Sequence, residues 1–294
     1  MAYVLSCCST ADLTKEHLDS RDIKYIYFHY YLNDVEYPDD MGQTIAFDKF
    51  YQMMEEGADT RTSQINADEF IAYFTPFLKE GKDVVHITLS SGLSGVYNSA
   101  VAARDILKEE YPDRNIYIVD SLAASSGYGL LMDKLADLRD SGVSAEELVS
   151  FVEENKKKLE HWFFTTDLKY FVKGGRVSKV AGFFGSMLKI CPVLNVSADG
   201  KLVPKEKVRL KKNAIVSVFE KMKANAENGE DYSGKCYISC SACEADAKEL
   251  AELVEGYFKK LDGKVEIMSI GTTIGSHTGP GTVALFFWSD KDRV

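Results

Sequence analysis

The chain lacks an excess of basic residues, and this bears on whether it can bind nucleic acid. Its 294 residues contain 35 Lys and Arg against 45 Asp and Glu, which gives a net charge of −10. Nucleic-acid binding needs a surplus of cations to neutralise phosphates, so we expect no nucleic-acid partner. The chain has only 6 prolines, no low-complexity tract and no repeat with a period of about 20–50 residues. These absences exclude a disordered chain and a solenoid.

Long apolar runs are lacking too. No stretch of about 18 apolar residues occurs, so the sequence predicts no membrane span. The opening stretch, MAYVLSCCSTADLTKE, has no basic lead and turns polar early, which is not typical of a signal peptide. We therefore expect a cytoplasmic protein without integral membrane association. A content of 45% hydrophobic residues allows a large core, in one large domain or two ordinary ones.

The six cysteines lack the spacing of a metal site. Cys236, Cys240 and Cys243 follow the pattern CxxxCxxC, but neither a second CxxC pair nor an HxxxH accompanies them. CYISC also has the pattern of a strand, on which Cys236 and Cys240 point the same way. We expect reduced thiols in the core and no metal ion. The adjacent Cys7 and Cys8 fit either a redox role or a buried strand end.

Strand and helix patterns alternate in the first half of the chain. The apolar patterns predict strands at 3–6, 23–32, 84–89 and 116–119. The last two strands enclose a helix pattern, so they form a β-α-β unit with parallel strands. Asn66 with Glu69, and Ser144 with Glu147, form capping boxes that open two further helices.

The pattern changes near residue 160. The stretch 173–185, KGGRVSKVAGFFG, reads as a loop, and 271–281, GTTIGSHTGPG, reads as a glycine-rich turn. The turn at Asp199 and Gly200 joins two strands. Further strands are predicted at 161–166, 265–270 and 283–288, and a helix carries Leu250, Leu253, Val254, Tyr257 and Phe258. We predict an α/β fold of two α/β domains, residues 1–160 and 161–294.

The stretch SSGLSG at 90–95 joins the strand at 84–89 to the helix that follows. In α/β sheets, ligands bind beyond the carboxyl ends of strands and beside helix N-termini. The loop lacks the GxSxG of a nucleophile elbow, the lysine of a P-loop and the dinucleotide pattern GxGxxG. Its backbone N–H groups and hydroxyls are expected to hold an anion. The alternative is a helix cap without a ligand.

Other stretches carry similar donors. Arg61, Thr62, Ser63 and Gln64 precede the Asn66-capped helix. Gly174-Gly175-Arg176 offers a guanidinium after a turn, and the small-residue turn at 275–281 offers His277. The basic stretch 201–212 is either a local surface for an anion or a partner, or simply a solvated face. Donors without a carboxylate pair or a metal cluster favour a site that holds an anion over one that cleaves a bond.

Taken together, these stretches resemble a known family. TSQINADEF, ITLSSGLSGVYNSA, IYIVDSLAASSGYG, DLKYFVKGGRVS, ICPVLNVSADGKL, KVR and IGSHTGPG follow in the order typical of the DegV family of bacterial fatty-acid-binding proteins. The resemblance covers nearly the whole chain. One position departs from it: such families open with Asp-Ser after the first strand, where this chain has Cys8-Ser9. The later Asp120-Ser121 pair is intact.

The resemblance implies two α/β domains with one long-chain fatty acid, such as hexadecanoate, in a tunnel between them. It implies that Thr62, Ser94 and His277 bind the carboxylate, with Ser63, Ser91 and Gly95 as further loop contributors. It also places Arg176 and Arg209 at the head group or facing a partner kinase.

The implied role is that of a carrier and not of an enzyme. It would present the acid to a separate ATP-dependent fatty acid kinase, which makes the acyl phosphate used in phospholipid metabolism. No cofactor is implied besides the bound acid. The stretch FFGSMLKI at 183–190 is a candidate tunnel wall.

Two alternatives remain open at this point. A serine hydrolase acting on a lipid or ester could use Ser94 and His277, which lie in separate small-residue stretches, but no third orienting acid can be assigned. A regulatory or structural protein could use the lipid only to stabilise its fold.

Overall fold

The computed structural model describes residues 3–177 and 190–294. In these residues the strands are β1 Tyr3–Cys8, β2 Lys24–Ile26, β3 His29–Leu32, β4 Val35–Pro38, β5 Thr60–Ser63, β6 Asp83–Thr88, β7 Ile116–Asp120, β8 Leu159–Thr165, β9 Ile190–Val196, β10 Leu202–Arg209, β11 Tyr237–Cys240, β12 Glu266–Ser269 and β13 Thr282–Trp288. The helices are α1 Lys15–Ser20, α2 Phe47–Glu55, α3 Ala67–Lys79, α4 Val96–Glu110, α5 Ser125–Asp140, α6 Ala145–Asn155, α7 Lys169–Gly174, α8 Lys211–Asn225, α9 Glu244–Tyr257 and α10 Thr272–Thr278. None of the described helices is both long and apolar enough to cross a membrane.

The first sheet is parallel, in the order β2-β1-β6-β7. The predicted β-α-β unit is confirmed as β6, α4 and β7. Both predicted capping boxes are present: Asn66 and Glu69 open α3, while Ser144 and Glu147 open α6. Local side chain-to-backbone hydrogen bonds set these helix starts, which is why the sequence predicts them correctly.

The single strand expected at 23–32 was wrong, because the chain breaks there into two strands of different sheets. β2 joins the parallel sheet, whereas β3 joins a small antiparallel sheet in the order β4-β3-β5. The backbone N–H of Phe28, between them, donates to Ser9 Oγ at 3.0 Å, and the Phe28 ring is buried. The contact between Ser9 and Phe28 marks the point where the chain leaves one sheet for the other. The aromatic residues run through this point without interruption, so their pattern does not predict the break.

The second large sheet is mixed, in the order β10-β9-β8-β13-β11-β12, with only β11 and β12 parallel. Alternate residues of its strands face opposite sides. Trp162 and Phe164 of β8 pack in one core with helices α8 and α9. Phe163 of the same strand and Phe286 of β13 belong to the other core, which extends into the parallel sheet. The predicted turn at Asp199 and Gly200 does join β9 to β10.

The glycine-rich stretch 271–281 is not simply a turn, because its first part forms α10. Gly275 lies inside this helix, where glycine costs about 1 kcal/mol relative to alanine. A Cβ there would collide with Tyr51 Oη, and the Tyr51 hydroxyl donates to the Ile270 carbonyl at 2.8 Å. The small residues therefore serve close packing, and His277 is carried by a helix.

The predicted domain boundary near residue 160 falls at the start of β8. One of the two large cores contains residues from both sides of that position, including Leu159 and Phe286. The division into 1–160 and 161–294 stays a prediction. Of the candidate tunnel wall at 183–190, positions 183–189 lie outside the described residues.

Candidate functional site

A cavity of about 390 Å³ lies beside the face of the six-stranded sheet that carries Phe163 and Phe286. Residues at the ends of β5 and β6 and residues of α10 complete its lining. This volume is within the range of about 300–1,000 Å³ usual for small-molecule sites. Its lining is largely apolar and includes Phe28, Leu93, Phe163, Phe171, Ile274 and Phe286. Several hydroxyls, two histidines and one arginine supply its polar positions.

Thr62 and His277 form the closest polar pair in the lining. β5 carries Thr62 and α10 carries His277, and Thr62 Oγ1 lies 2.7 Å from His277 Nε2. The two residues are 215 positions apart in the chain, so only the folded structure brings them together. Sequence reasoning singled out both residues but could not predict this contact.

The His277 ring is neutral at neutral pH. Burial and, to a smaller extent, the nearby positive charge of Arg176 together lower its pKa to about 4. Within the described residues, Nδ1 of this ring has no hydrogen-bond partner. A Cβ on Gly174 would collide with Nδ1, so the glycine is needed for the ring to pack against the end of α7.

Ser94 also lines the cavity, next to a residue that sequence reasoning did not single out as part of the site. Its Oγ donates to Gln64 Oε1 at 3.2 Å and accepts from the Val96 N–H at 3.2 Å. Gln64 lies in the cavity lining as well, and its Nε2 donates to Ser99 Oγ at 3.0 Å. The sequence feature that could have predicted Gln64 as a site residue is its position directly after Thr62 and Ser63, which both line the cavity.

The loop 90–95 does not offer the backbone anion cradle that we expected. The N–H groups of residues 90–94 all donate within the protein, to Ala123, Asp120 and Ser90. Ser90 Oγ donates to the Gly200 carbonyl at 2.8 Å, and a Cβ on Gly92 would lie 2.7 Å from that same oxygen. Ser90 and Gly92 therefore pack the loop against the β9–β10 turn, while its N–H groups are used in other contacts within the protein. Its contribution to the cavity comes from the side chains of Leu93 and Ser94.

The two arginines occupy different places. Arg176 lines the cavity, is exposed, and donates from Nε to the Leu93 carbonyl at 3.3 Å. Arg209 is exposed at the last position of β10, whereas Leu202, at the first position, lines the cavity. Seven residue-to-residue steps along the strand separate these positions by about 23 Å. Arg209 is therefore remote from the Leu202 end of the cavity.

The remaining loop candidates divide as well. Ser63 belongs to the lining, whereas exposed Ser91 and exposed Gly95 are not part of it among the described residues. Gly95 has a packing role instead, because a Cβ there would lie 2.8 Å from Gln64 Oε1.

The geometry does not assemble the expected serine hydrolase. His277 Nε2 contacts the Thr62 hydroxyl, and Ser94 Oγ donates to Gln64. No carboxylate in residues 3–177 or 190–294 hydrogen-bonds to Nδ1 of His277. A serine nucleophile needs a base within hydrogen-bond reach and an orienting group behind that base. Neither requirement is met by Ser94.

Comparison with known proteins agrees with this architecture. The family model described as uncharacterised protein, DegV family, matches residues 8–290. The chain belongs to the DegV family. A DegV domain-containing protein of Clostridium perfringens is 37% identical over 288 residues, which is 98% of each chain.

Two further relatives have informative descriptions. A protein of Thermotoga maritima described as a fatty acid-binding protein is 34% identical over 281 residues, covering 94% of this chain and 93% of the relative. The crystal structure of a DegV lipid-binding protein from the same organism covers 100% of both chains, with a TM-score of 0.82 and 30% identity. The expected mixed α/β DegV fold is therefore confirmed.

The departure from the DegV pattern at Cys8 lies outside the cavity lining. Cys8 is fully buried at the end of β1; its N–H donates to Tyr128 Oη at 3.0 Å, and its Sγ lies 3.6 Å from His86 Nε2. Burial raises the pKa of the Cys8 thiol to about 12 and lowers the pKa of His86 to about 3. A thiol in such surroundings is unreactive, which supports the strand-end interpretation of Cys7 and Cys8.

Polar residues farther from the Thr62–His277 pair were missed. Ser125 Oγ donates to Asp12 Oδ2 at 2.5 Å and lies 3.0 Å from Ser239 Oγ, and both serines line the cavity. His161 is a further polar residue of the lining. Ser125 lies within the DegV motif IYIVDSLAASSGYG, but its aspartate partner is 113 positions away. Sequence patterns do not predict contacts between residues that lie so far apart in the chain.

The described part of the chain contains no group of three or more His, Cys, Asp or Glu side chains placed to hold a metal ion. Cys236 and Cys240 belong to one core, and the described cysteines are free thiols.

Proposed function

We propose that this DegV protein binds one long-chain fatty acid in the cavity, with its carboxylate at Thr62, Ser94 and His277. The observation that carries the proposal is the pairing of Thr62 with a neutral histidine in a largely apolar cavity. The relatives described as fatty acid-binding and lipid-binding proteins support the choice of ligand.

The apolar lining favours an alkyl chain. Burying a methylene group stabilises by about 0.8 kcal/mol, so ~14 methylenes supply ~11 kcal/mol before the entropy costs of binding. Phe163 and Phe286 on the sheet, with Leu93 and Ile274 opposite in the lining, offer this surface.

The polar groups favour a carboxylate. A desolvated carboxylate stays charged only if hydrogen bonds replace its lost water. In one tautomer, His277 Nε2–H donates to Thr62 Oγ1, and the Thr62 hydroxyl can then donate to a ligand oxygen. Rotation of the Ser94 hydroxyl away from Gln64 provides a second donor. Arg176, in the lining, adds a positive charge.

Lipid analysis tests this proposal directly. Native mass spectrometry and solvent extraction of the purified protein should find a long-chain fatty acid, and delipidated protein should rebind hexadecanoate. Protein that is consistently empty and binds no added hexadecanoate would reject the proposal.

We further propose that the protein is a carrier in a cytoplasmic kinase system. A separate ATP-dependent fatty acid kinase would phosphorylate the presented carboxylate. Arg209 is remote from Leu202 of the cavity lining but exposed, which suits a residue that contacts the kinase or steadies phosphoryl charge. Loss of phosphorylation in an Arg209 variant that still binds lipid is the test developed below.

The two-domain arrangement belongs to the same proposal. Residues 1–160 would supply the carboxylate-binding loops, and residues 161–294 would cover the acyl chain. Of the carboxylate-binding residues, His277 comes from the second range, so both parts are needed for the site.

A serine hydrolase predicts the opposite outcome in a simple assay. Labelling by a fluorophosphonate that is abolished by Ser94→Ala would support hydrolysis. We expect no labelling, because Ser94 lacks a base within the described residues.

A further inference from the structure

Cys240 and Cys243 form a CxxC pair where β11 passes into α9. Cys240 is the last residue of β11 and Cys243 directly precedes α9. Cys240 pairs across the sheet with Val283, and Cys243 Sγ donates to the Thr282 carbonyl at 3.2 Å. Both thiols thus lie beside the same dipeptide of β13. Their interaction lowers the pKa of the Cys240 thiol and raises that of the Cys243 thiol.

The backbone between them is folded back sharply. Ala242 has a φ of 51°, in the left-handed region that non-glycine residues seldom adopt. Such conformations are strained and cluster at functional sites. Here the conformation turns Cys243 back toward Cys240, where an extended backbone would carry it away.

Access distinguishes this pair from the other described thiols. Cys243 is partly exposed, whereas Cys7, Cys8, Cys191 and Cys236 are buried. Cys7 and Cys8 are consecutive residues of a strand, so their side chains point to opposite faces and cannot bridge. A small oxidant can reach the CxxC pair through Cys243.

The CxxC loop is bonded to a wall of the lipid cavity. Ser241 Oγ donates to the Gly279 carbonyl at 2.7 Å and accepts from the Thr282 N–H at 2.9 Å. The Ser241 N–H donates to the Thr282 carbonyl at 3.0 Å, and Cys243 donates to that same oxygen. Thr282 lines the cavity, and the short segment before it leads from His277.

We propose that Cys240 and Cys243 are a reversible redox site, and that its oxidation weakens fatty-acid binding by loosening the wall at 279–282. The first half is independent of the proposed function, and the second half rests on it. Cytosolic disulfides, where they occur, are usually transient and serve redox sensing or catalysis.

The oxidation balances with a hydroperoxide as the oxidant. Interaction with Cys243 lowers the pKa of the Cys240 thiol, so the Cys240 thiolate attacks one peroxide oxygen, the O–O bond breaks, and the leaving oxygen takes up a proton to give a sulfenic acid and water. Cys243 then attacks the sulfenic sulfur, the S–O bond breaks, and the Cys243 proton leaves with the hydroxide as water. Two thiols and one hydrogen peroxide thus give one disulfide and two waters, and an added dithiol reverses the change.

The consequence for the cavity follows from the lost proton. A disulfide sulfur has no hydrogen to donate, so the Thr282 carbonyl loses the Cys243 bond. We expect hexadecanoate to bind the oxidised protein at least about threefold more weakly. Because coupling between two sites is reciprocal, bound hexadecanoate should then favour the dithiol by the same factor, about 14 mV for a two-electron couple.

The first experiment treats the purified protein with hydrogen peroxide and maps disulfides by alkylation and peptide mass spectrometry. The expected result is a Cys240–Cys243 link that dithiothreitol removes. Cys191→Ser, which changes a buried thiol of the same core, should form the link normally. Both thiols remaining alkylatable, or a link between other cysteines, would overturn the redox site.

The second experiment measures hexadecanoate affinity in both redox forms. Cys243→Ser keeps a hydrogen-bond donor, so it should bind like the reduced wild type and ignore peroxide. Cys243→Ala lacks the donor and should show the weakened affinity without any oxidant. Equal affinity in the reduced, oxidised and Cys243→Ala proteins would overturn the coupling. If no form binds hexadecanoate, the proposed function fails while a mapped disulfide still stands.

Discussion

Replacing Thr62 by valine removes one hydroxyl and nearly preserves the shape of the side chain. In the free protein, Thr62 Oγ1 is the partner of His277 Nε2 at 2.7 Å, and Nδ1 of that ring already lacks a partner among the described residues. The substitution therefore leaves both ring nitrogens unpaired. We expect the free energy of unfolding to fall by about 1–3 kcal/mol, the cost of an unsatisfied buried group.

The same substitution is also expected to weaken the binding of hexadecanoate. A hydrogen bond to a charged group contributes about 1.5–3 kcal/mol, which corresponds to a loss of hexadecanoate affinity of about 10- to 150-fold. The assay is fluorescence competition or calorimetry with delipidated Thr62→Val protein.

Thr60→Val is the matched control, because it lies on the same strand. Thr60 is buried, and its Oγ1 has no partner within the described residues. Exchanging that hydroxyl for a methyl group should leave both affinity and stability intact. Equal hexadecanoate affinity in the Thr62 variant, the Thr60 variant and the wild type would refute the assignment of the carboxylate to this end of the cavity.

Three further outcomes are expected. Arg209→Ala should keep hexadecanoate affinity within about threefold, under ~0.7 kcal/mol, yet sharply reduce phosphorylation by the cognate kinase; wild-type turnover would contradict this role. Gly174→Ala should displace the His277 ring and weaken hexadecanoate binding, whereas Gly256→Ala, with open space around it, should not; calorimetry compares the two. Burial lowers the pKa of His86 from 6.5, its ordinary value, to about 3 in the folded protein, so unfolding takes up a proton between these pH values and stability falls as the pH drops. His86→Gln should make that fall shallower by about 1.4 kcal/mol per pH unit between pH 6 and 4, and parallel urea-derived curves would reject the explanation.

The sequence by itself determined the features that depend on near neighbours in the chain. The Asn66–Glu69 and Ser144–Glu147 capping boxes join residues three positions apart, so they could be read directly and were confirmed. The parallel β6-α4-β7 unit follows from its connection, and it was confirmed as well. The ordered motifs identified the DegV family, and the family match spans residues 8–290.

Pattern reading failed where tertiary packing overrides local preference. The aromatic run at 23–32 looks like one strand, but the Ser9–Phe28 contact divides it between two sheets. The glycines of 271–281 look like a turn, but close packing against Tyr51 makes the first part helical. Both errors come from contacts with residues distant in the chain.

Only the tertiary structure decided how the site is arranged. Thr62 and His277 are 215 positions apart, and their contact depends on how β5 and α10 pack together. The length of β10 places Arg209 far from the Leu202 end of the cavity. The backbone donors of residues 90–94 are taken up by Ala123, Asp120 and Ser90. Composition and spacing can supply candidate donors, but whether a donor faces a ligand or its own backbone depends on competition among nearby acceptors. That competition exists only once the chain is folded.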